Sequence, residues 1–442
     1  MQKKKALWTG LVLLLAAALT AACSDGSPSE SSSGSSGGSK GKVTISMAYT
    51  GDQNALDTLK KRLNQYLDPS LNISVDVTLI PGGEYWDKVS TMFAGGTPPD
   101  VLFMSEPFKQ YAKQSSLLDL TSYIEASPTF NRDDFYPASL EFYQYNGKQF
   151  GVPQDLNTWV IFYNEDLFKE AGVKTPWEYY QEGDWTWDNY LDVAKKLTKI
   201  SGDRVTQYGT GYPAIAGWSY SAWVFAGGGN YKSADGKTST MSDPKTLAAF
   251  QFTTGLANQY EVAPMPATGG GTNITGMTFA TGKVAMEANG SWSIGGYKDM
   301  KFKWNIAPMP VVPGVDPLTS YIHNSGFAIS ASTKHPQEAW AVLEALVKPE
   351  SYADDAASRG IIPPRPSVVA SEKILNAPGM PSNASVISDM LAKGKLFPFD
   401  ETYAEEEKVY TDIGNEILTK KVTPEDGAAE MDRKVNEILA KQ

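Results

Sequence analysis

Thiol and imidazole side chains, common carriers of nucleophilic and metal chemistry, are few in this chain and poorly arranged for it. One thiol, Cys23, and two histidines, His323 and His335, stand in 442 residues. There is no His-Glu-x-x-His run to hold zinc. A single thiol closes no disulfide within the chain, so an exported protein of this length must be stable from its core alone. Gly209-Thr210-Gly211-Tyr212-Pro213-Ala214 superficially matches a dinucleotide loop, but Pro213 and the lack of a preceding apolar strand remove that reading. Asp235-Gly236-Lys237 reads as a hairpin tip, because the spaced carboxylates and closing Glu of a calcium loop are missing. Aromatic residues are plentiful, at 11%, and several fall in loops where no helical or strand period requires them. Flat rings beside Asp, Asn, Glu or Arg suit non-covalent recognition of a hydroxylated ligand with an apolar face.

Cys23 has a placement that explains it. Lys3, Lys4 and Lys5 precede an uncharged run of 17 residues, Ala6 to Ala22, which closes with Leu19-Thr20-Ala21-Ala22 immediately before the cysteine. That is the layout of a secretory signal with small residues at its cleavage point, and it resembles the bacterial lipoprotein signal, with Thr20 where Leu is more usual. The resemblance implies that residues 1–22 are removed and that Cys23 becomes the lipidated first residue of the mature chain. The rival is an uncleaved anchor, for which the run is short of the roughly 20 residues that span a bilayer.

Residues 23–42 then form a linker of Ser and Gly with little else, which buries nothing and behaves as a flexible coil. Its 18 residues from Ser24 to Gly41 hold the folded part about 20–25 Å from the anchor on average. The formal charge is −11 with three lysines in the signal. Its loss leaves −14, which argues against nucleic acid or anionic lipid as a charge-driven partner.

The elements that must position any site begin as an α/β pattern. Val43 to Ala48 reads as a strand, and Leu56, Leu59, Leu63 and Tyr66 or Leu67 fall at helical spacing. Ile73, Val75, Val77 and Leu79 alternate with polar residues as a half-buried strand, which completes a β-α-β unit. Val101 to Met104 is a further strand after Pro98-Pro99. Charge runs such as Glu405 to Lys408 read as solvated helix faces.

Four ordered stretches carry a family resemblance. They are MFAGGTPPDVLF from Met92, GVPQDLNTWVIFYNEDLF from Gly151 with a helix opening at Thr186-Trp187, FATGKVAMEANGSW from Phe279, and the strand Phe327 to Ile329 leading through Lys334-His335-Pro336 into a helix with Ala339, Trp340, Leu343 and Leu346 on one face. Together they resemble the extracellular solute-binding proteins of carbohydrate importers, the maltose-binding-protein-like group, over nearly everything from Val43 to Gln442. The resemblance implies an α/β, two-lobe periplasmic-binding-protein fold (type II, Venus flytrap) with a ligand cleft between the lobes. It places residues 43–153 plus 325–358 in lobe one and 154–324 plus 360–442 in lobe two, with hinges near Pro153 to Asn157, His323 to Gly326 and Ile361 to Arg365. It also implies a monomeric, non-enzymatic protein without cofactor or metal, tethered through Cys23 to the outer face of a Gram-positive cell membrane. That protein would deliver a sugar, an oligosaccharide given the aromatic supply, to the transmembrane subunits of an ATP-driven ABC permease. The alternatives are a lipoprotein glycosidase, which needs two carboxylates about 5–10 Å apart, and a binding protein for a non-sugar solute.

Candidate ligand contacts follow from the resemblance and from loop chemistry. Trp292, after Asn289-Gly290-Ser291, matches a cleft Trp that stacks on a sugar ring; the bland reading is a lid over the core. Trp218 and Tyr220 stand at the mouth of a helix and could face the cleft, while Trp223 is at core spacing. Asp155 and Asn157 precede the apolar strand Val160 to Tyr163, where turn chemistry is the competing reading. Loops after strands of an open α/β sheet point to Asp52, Gln53, Glu84 and Glu106, each of which could equally cap a helix. Arg365 lies in a crossing segment, with a solvated surface arginine as the simpler reading, and Phe399, Asp400 and Tyr403 lie at an expected cleft edge.

Overall fold

The computed structural model describes residues 41–212, 220–265, 277–371, 374, 377 and 379–441. The leader, Cys23, the Ser/Gly linker up to residue 40 and Trp218 lie outside the described residues. Among them the strands in chain order are β1 (Val43–Thr50), β2 (Ile73–Ile80), β3 (Val101–Met104), β4 (Gln144–Tyr145), β5 (Lys148–Gln149), β6 (Gly151–Asn164), β7 (Lys199–Ser201), β8 (Arg204–Thr210), β9 (Val284–Gly290), β10 (Trp304–Ala307), β11 (Tyr321–Ile329) and β12 (Lys395–Leu396). A single sheet runs β2-β1-β3-β11-β6-β9-β8-β7, with β10 added beside β6 and β12 beside β11.

The expected β-α-β start is present. β1 pairs in parallel with β2 over its full length and with β3 through Met47 and Ala48. Between β1 and β2 runs α1 (Gln53–Tyr66), whose Leu56, Leu59 and Leu63 are buried, and whose first turn is held by Asp52 Oδ1 accepting from Ala55 N at 2.8 Å. An Asp cap of this kind satisfies an otherwise orphaned N–H. On the same helix Arg62 is also buried, because it reaches the Asp355 carboxylate and donates to Leu346 O at 2.6 Å.

Two antiparallel strands, β6 and β11, form the middle of the sheet. All fourteen residues of β6 are buried, as a strand covered on both faces requires. Its faces nevertheless differ: Trp159, Ile161 and Tyr163 join one apolar cluster, and Leu156, Val160 and Phe162 another. The three expected crossing segments lie side by side. Asp155 pairs with Ser325 and Pro153 with Gly326, across a register shift between Ser325 and Gly326, and Leu156 N donates to Ile362 O at 2.9 Å.

The charge run at Glu405 to Lys408 departs from the solvated face expected of it. It lies in the helix Tyr403–Leu418, but Glu406 is fully buried because Lys232, itself buried, donates to its carboxylate at 2.8 Å and to Asp400. The Asp235-Gly236-Lys237 stretch is a turn, with Ser233 N bonded to Thr238 O at 2.8 Å and Gly236 at φ +72°.

Candidate functional site

Side chains alternate across a strand, so Asp155, Asn157 and Trp159 of β6 share one face. Their neighbours on β11 share it too, since His323 pairs with Asn157 and Ser325 with Asp155, and Tyr321 stands two residues before His323. Onto this face the end of β9 brings Trp292, which lies two residues beyond Gly290, the partner of Trp159. The Trp292 ring meets Trp159 edge to face, with centroids 5.8 Å apart and planes at 89°. It meets the His323 ring at 5.4 Å and 65°, and Tyr321 stands 6.2 Å from His323.

Gly290 allows the Trp292 ring its position. A Cβ at Gly290 would fall within contact of the six-membered part of the ring, so only the bare backbone lets the indole lie over the strand end. Asn157 fixes the same turn from below. Its Oδ1 accepts from Ser291 Oγ at 3.0 Å, and that hydroxyl accepts from Thr158 N at 3.2 Å.

The carboxylate of the site comes from the end of β3. Glu106 Oε1 lies 2.7 Å from His323 Nε2, with each side chain 12% exposed, and its other oxygen accepts from Ser105 Oγ. Burial pushes the Glu106 carboxyl up, but the hydrogen bond and charge of His323 and the bond from Ser105 carry it below the usual range. Glu106 is therefore ionised and acceptor-only, so His323 Nε2 carries the proton and donates. Glu407 behaves oppositely: burial first, then the charge of Glu106, push its carboxyl up to about 7 against a hydrogen bond from Tyr403. Burial also raises Asp155, which accepts from Ser325 N at 3.1 Å.

The structure thus brings Trp292, Asn157, Asp155 and Glu106 into one neighbourhood and leaves other candidates elsewhere. Asp52 is an exposed helix cap, and Gln53 donates to Asp57 at 2.8 Å on the surface of α1. Glu84 is exposed and pairs with Lys88 at 2.7 Å. Tyr220 is buried and stacked on Phe250 at 4.5 Å, deep in the core beside Trp223. Arg365 is neither a ligand contact in this geometry nor the solvated arginine of the simpler reading. It is 1% exposed, its guanidinium lies 4.0 Å over Phe135, and it donates to Asp134 at 3.1 Å and Val347 O at 3.0 Å. Phe399 and Tyr403 are buried and pack together at 4.6 Å, while Asp400 binds Lys232.

Trp159, His323 and Glu407 were absent from the sequence-derived set. For Trp159 and His323 the available signal was period-two spacing: Trp159 continues Asp155 and Asn157, and His323 is a polar residue inside an apolar strand. Among the described residues no group of three or more His, Cys, Asp and Glu could hold a metal ion. No helix among the described residues is long and apolar enough to cross a membrane.

Comparison with known proteins adds to this geometry. The model of the bacterial extracellular solute-binding protein family matches residues 41–382. An arabinooligosaccharide-binding protein of Bacillus subtilis (strain 168) is 26% identical over 250 residues, covering 55% of this chain and 54% of that protein, so the chain spans about half of that relative's length. The maltodextrin-binding protein of the same organism is 24% identical over 333 residues, covering 75% of this chain and 73% of the relative. Among solved structures, an ABC substrate-binding protein from Listeria monocytogenes in complex with cycloalternan superposes with a TM-score of 0.81 at 25% identity, covering 90% of this chain and 99% of that one. The maltose-bound MalE3 of T. maritima has a TM-score of 0.75 at 22% identity, covering 90% and 100%, and shares the fold. The architecture is the α/β two-lobed fold of these proteins.

Proposed function

The chain belongs to the bacterial extracellular solute-binding protein family, and on that premise we propose that it captures a neutral oligosaccharide and presents it to an ABC importer. The observation that carries this reading is the Trp159–Trp292 corner set against the Glu106–His323 pair on one face of the central strands. Indole faces suit the apolar C–H faces of sugar rings, and a fixed carboxylate accepts from neighbouring hydroxyls. The arabinooligosaccharide- and maltodextrin-binding names of the relatives support the same ligand class.

In this reading residues 43–153 with 325–358 form one lobe and residues 154–324 with 360–442 the other. The sugar settles against Trp292 of the second lobe, beside the Glu106 carboxylate that His323 already holds, and closure adds hydrogen bonds from the first lobe. A ligand shifts such an equilibrium only by its differential affinity, and about 5.5 kcal/mol moves it from 1:99 to 99:1. A few stacking contacts of about 0.5–1.5 kcal/mol and several hydrogen bonds of similar net size reach that range. Lipidation at Cys23 would keep the trap near its permease on the outer face of a Gram-positive membrane, and the lipoprotein name of a pneumococcal relative supports this.

One observation favours a second reading. Glu106 and Glu407 are neighbouring carboxyls pushed in opposite directions, as the acid and base of a glycosidase are. A panel of maltotriose, mannotriose and arabinotriose separates the two. Calorimetric binding with the sugar recovered uncut supports capture, cleavage supports hydrolysis, and no binding by any member removes the sugar reading.

A further inference from the structure

The structure assigns to His323 the role of a positioning residue: it holds the Glu106 carboxylate in the orientation that meets the ligand beside Trp292. This rests on the sugar-capture reading above and adds to it a residue from the central strand.

Glu106 follows β3 directly, in the segment leading into the helix Phe108–Lys113, so its backbone does not by itself dictate where a long side chain points. Two contacts do. Ser105 Oγ donates to one oxygen, and His323 Nε2, 217 residues away in sequence, donates to the other at 2.7 Å. The histidine is itself clamped. Its backbone pairs with Asn157 in the β6–β11 ladder, and its ring is held at its edges by Trp292 at 5.4 Å and Tyr321 at 6.2 Å. The ring that stacks the ligand therefore also braces the ring that aims the acceptor. A carboxylate bonded twice on its own protein has its rotamer fixed before ligand arrives, so less freedom is lost when a hydroxyl binds its remaining lone pairs. The other titratable groups facing this pair are the carboxyls of Glu407, from the helix Tyr403–Leu418, and Asp155, from β6, and the phenols of Tyr143, Tyr321 and Tyr403. It is the His323 imidazole that stands within hydrogen-bond distance of Glu106 Oε1, at 2.7 Å.

The test uses calorimetry on the full chain with whichever of maltotriose, mannotriose or arabinotriose binds most tightly. His323→Leu, which removes the donor, is expected to weaken binding at least tenfold, and His323→Gln, which restores an N–H donor, to stay within threefold of the original chain. In a Glu106→Gln background the further substitution His323→Leu is expected to change affinity less than twofold, because the histidine acts through the carboxylate. A purely structural histidine would lower the melting temperature in both variants and leave the affinity of the folded protein alone. Equal losses in His323→Leu and His323→Gln, no loss in either, or an undiminished loss in the Glu106→Gln background would overturn the assignment. If His323→Leu does not fold, His323→Asn takes its place, a donor too short to reach, and affinity equal to that of the original chain overturns it. Failure of the unsubstituted chain to bind any of the three sugars overturns the capture reading and this inference with it. Binding without any response to the variants overturns the role of His323 alone.

Discussion

Trp159 and Trp292 meet at 89°, edge to face, although 133 residues and several elements separate them. The two rings are placed by different devices. Trp159 is aimed by the alternation of β6, and Trp292 by the turn that Asn157 and Ser291 lock after β9. Such pairs contribute about 0.5–1.5 kcal/mol beyond their buried area, which makes the corner a rigid platform.

Removing that platform should cost binding more than folding. Trp292→Ala is expected to weaken oligosaccharide binding at least tenfold, about 1.4 kcal/mol or more, while circular dichroism at room temperature stays that of the original chain. Unchanged affinity by calorimetry would take Trp292 out of the site.

Gly290 offers an independent handle on the same ring. A methyl group there collides with the indole of Trp292, so Gly290→Ala should displace the platform without removing any ring. Binding is expected to fall several-fold in Gly290→Ala, and the same substitution should add little when Trp292→Ala is already present, since coupled neighbours are not additive. Two independent, additive losses would show that the glycine acts elsewhere.

How much of this was legible beforehand varied with the kind of contact. The β1-α1-β2 unit and β3 were readable because local spacing and the Pro98-Pro99 break determine them. Trp292 was singled out through the family resemblance of the stretch around Asn289-Gly290-Ser291, and the structure sets its ring beside Trp159 and His323. Arg62, Arg365 and Glu406 were not readable, because each is a charged residue buried by a partner distant in sequence: Asp355, Asp134 and Lys232 respectively. Periodicity assigns such residues to solvent, and no window on one strand of sequence contains the compensating charge. Glu106 was found from the position of its loop, while its partner His323 was not, for the same reason.

The Lys232 cluster should behave as a buried ion pair does. Lys232→Met strands Asp400 and Glu406 without their cation in a site where both lysine and Glu406 are almost fully buried, and it is expected to cost about 3–5 kcal/mol. Adding Glu406→Leu to Lys232→Met should recover part of that loss, because an apolar replacement of the pair removes the uncompensated charge. Urea denaturation measures both, and a single variant as stable as the original chain would mean the pair is not maintained in solution.

Glu407 supplies a pH dependence with a definite sign. Its folded value of about 7 lies above the ordinary 4.5, chiefly through burial. Between those values the folded chain keeps a proton that the unfolded chain releases, so stability falls as pH rises through this window, by at most about 3 kcal/mol. Glu106 acts in the opposite sense: its lowered value contributes stability that is present at neutral pH and is lost only as pH falls through its folded value. Glu407→Gln mimics the protonated form and takes away the proton release. Calorimetric melting at about pH 5 and about pH 8 should therefore show a smaller drop towards high pH in Glu407→Gln than in the original chain, with the variant the more stable of the two at the upper value. A drop of equal size in both would place the Glu407 carboxyl in water, away from Glu106, and would remove the opposed carboxyl pair on which the hydrolytic reading depends.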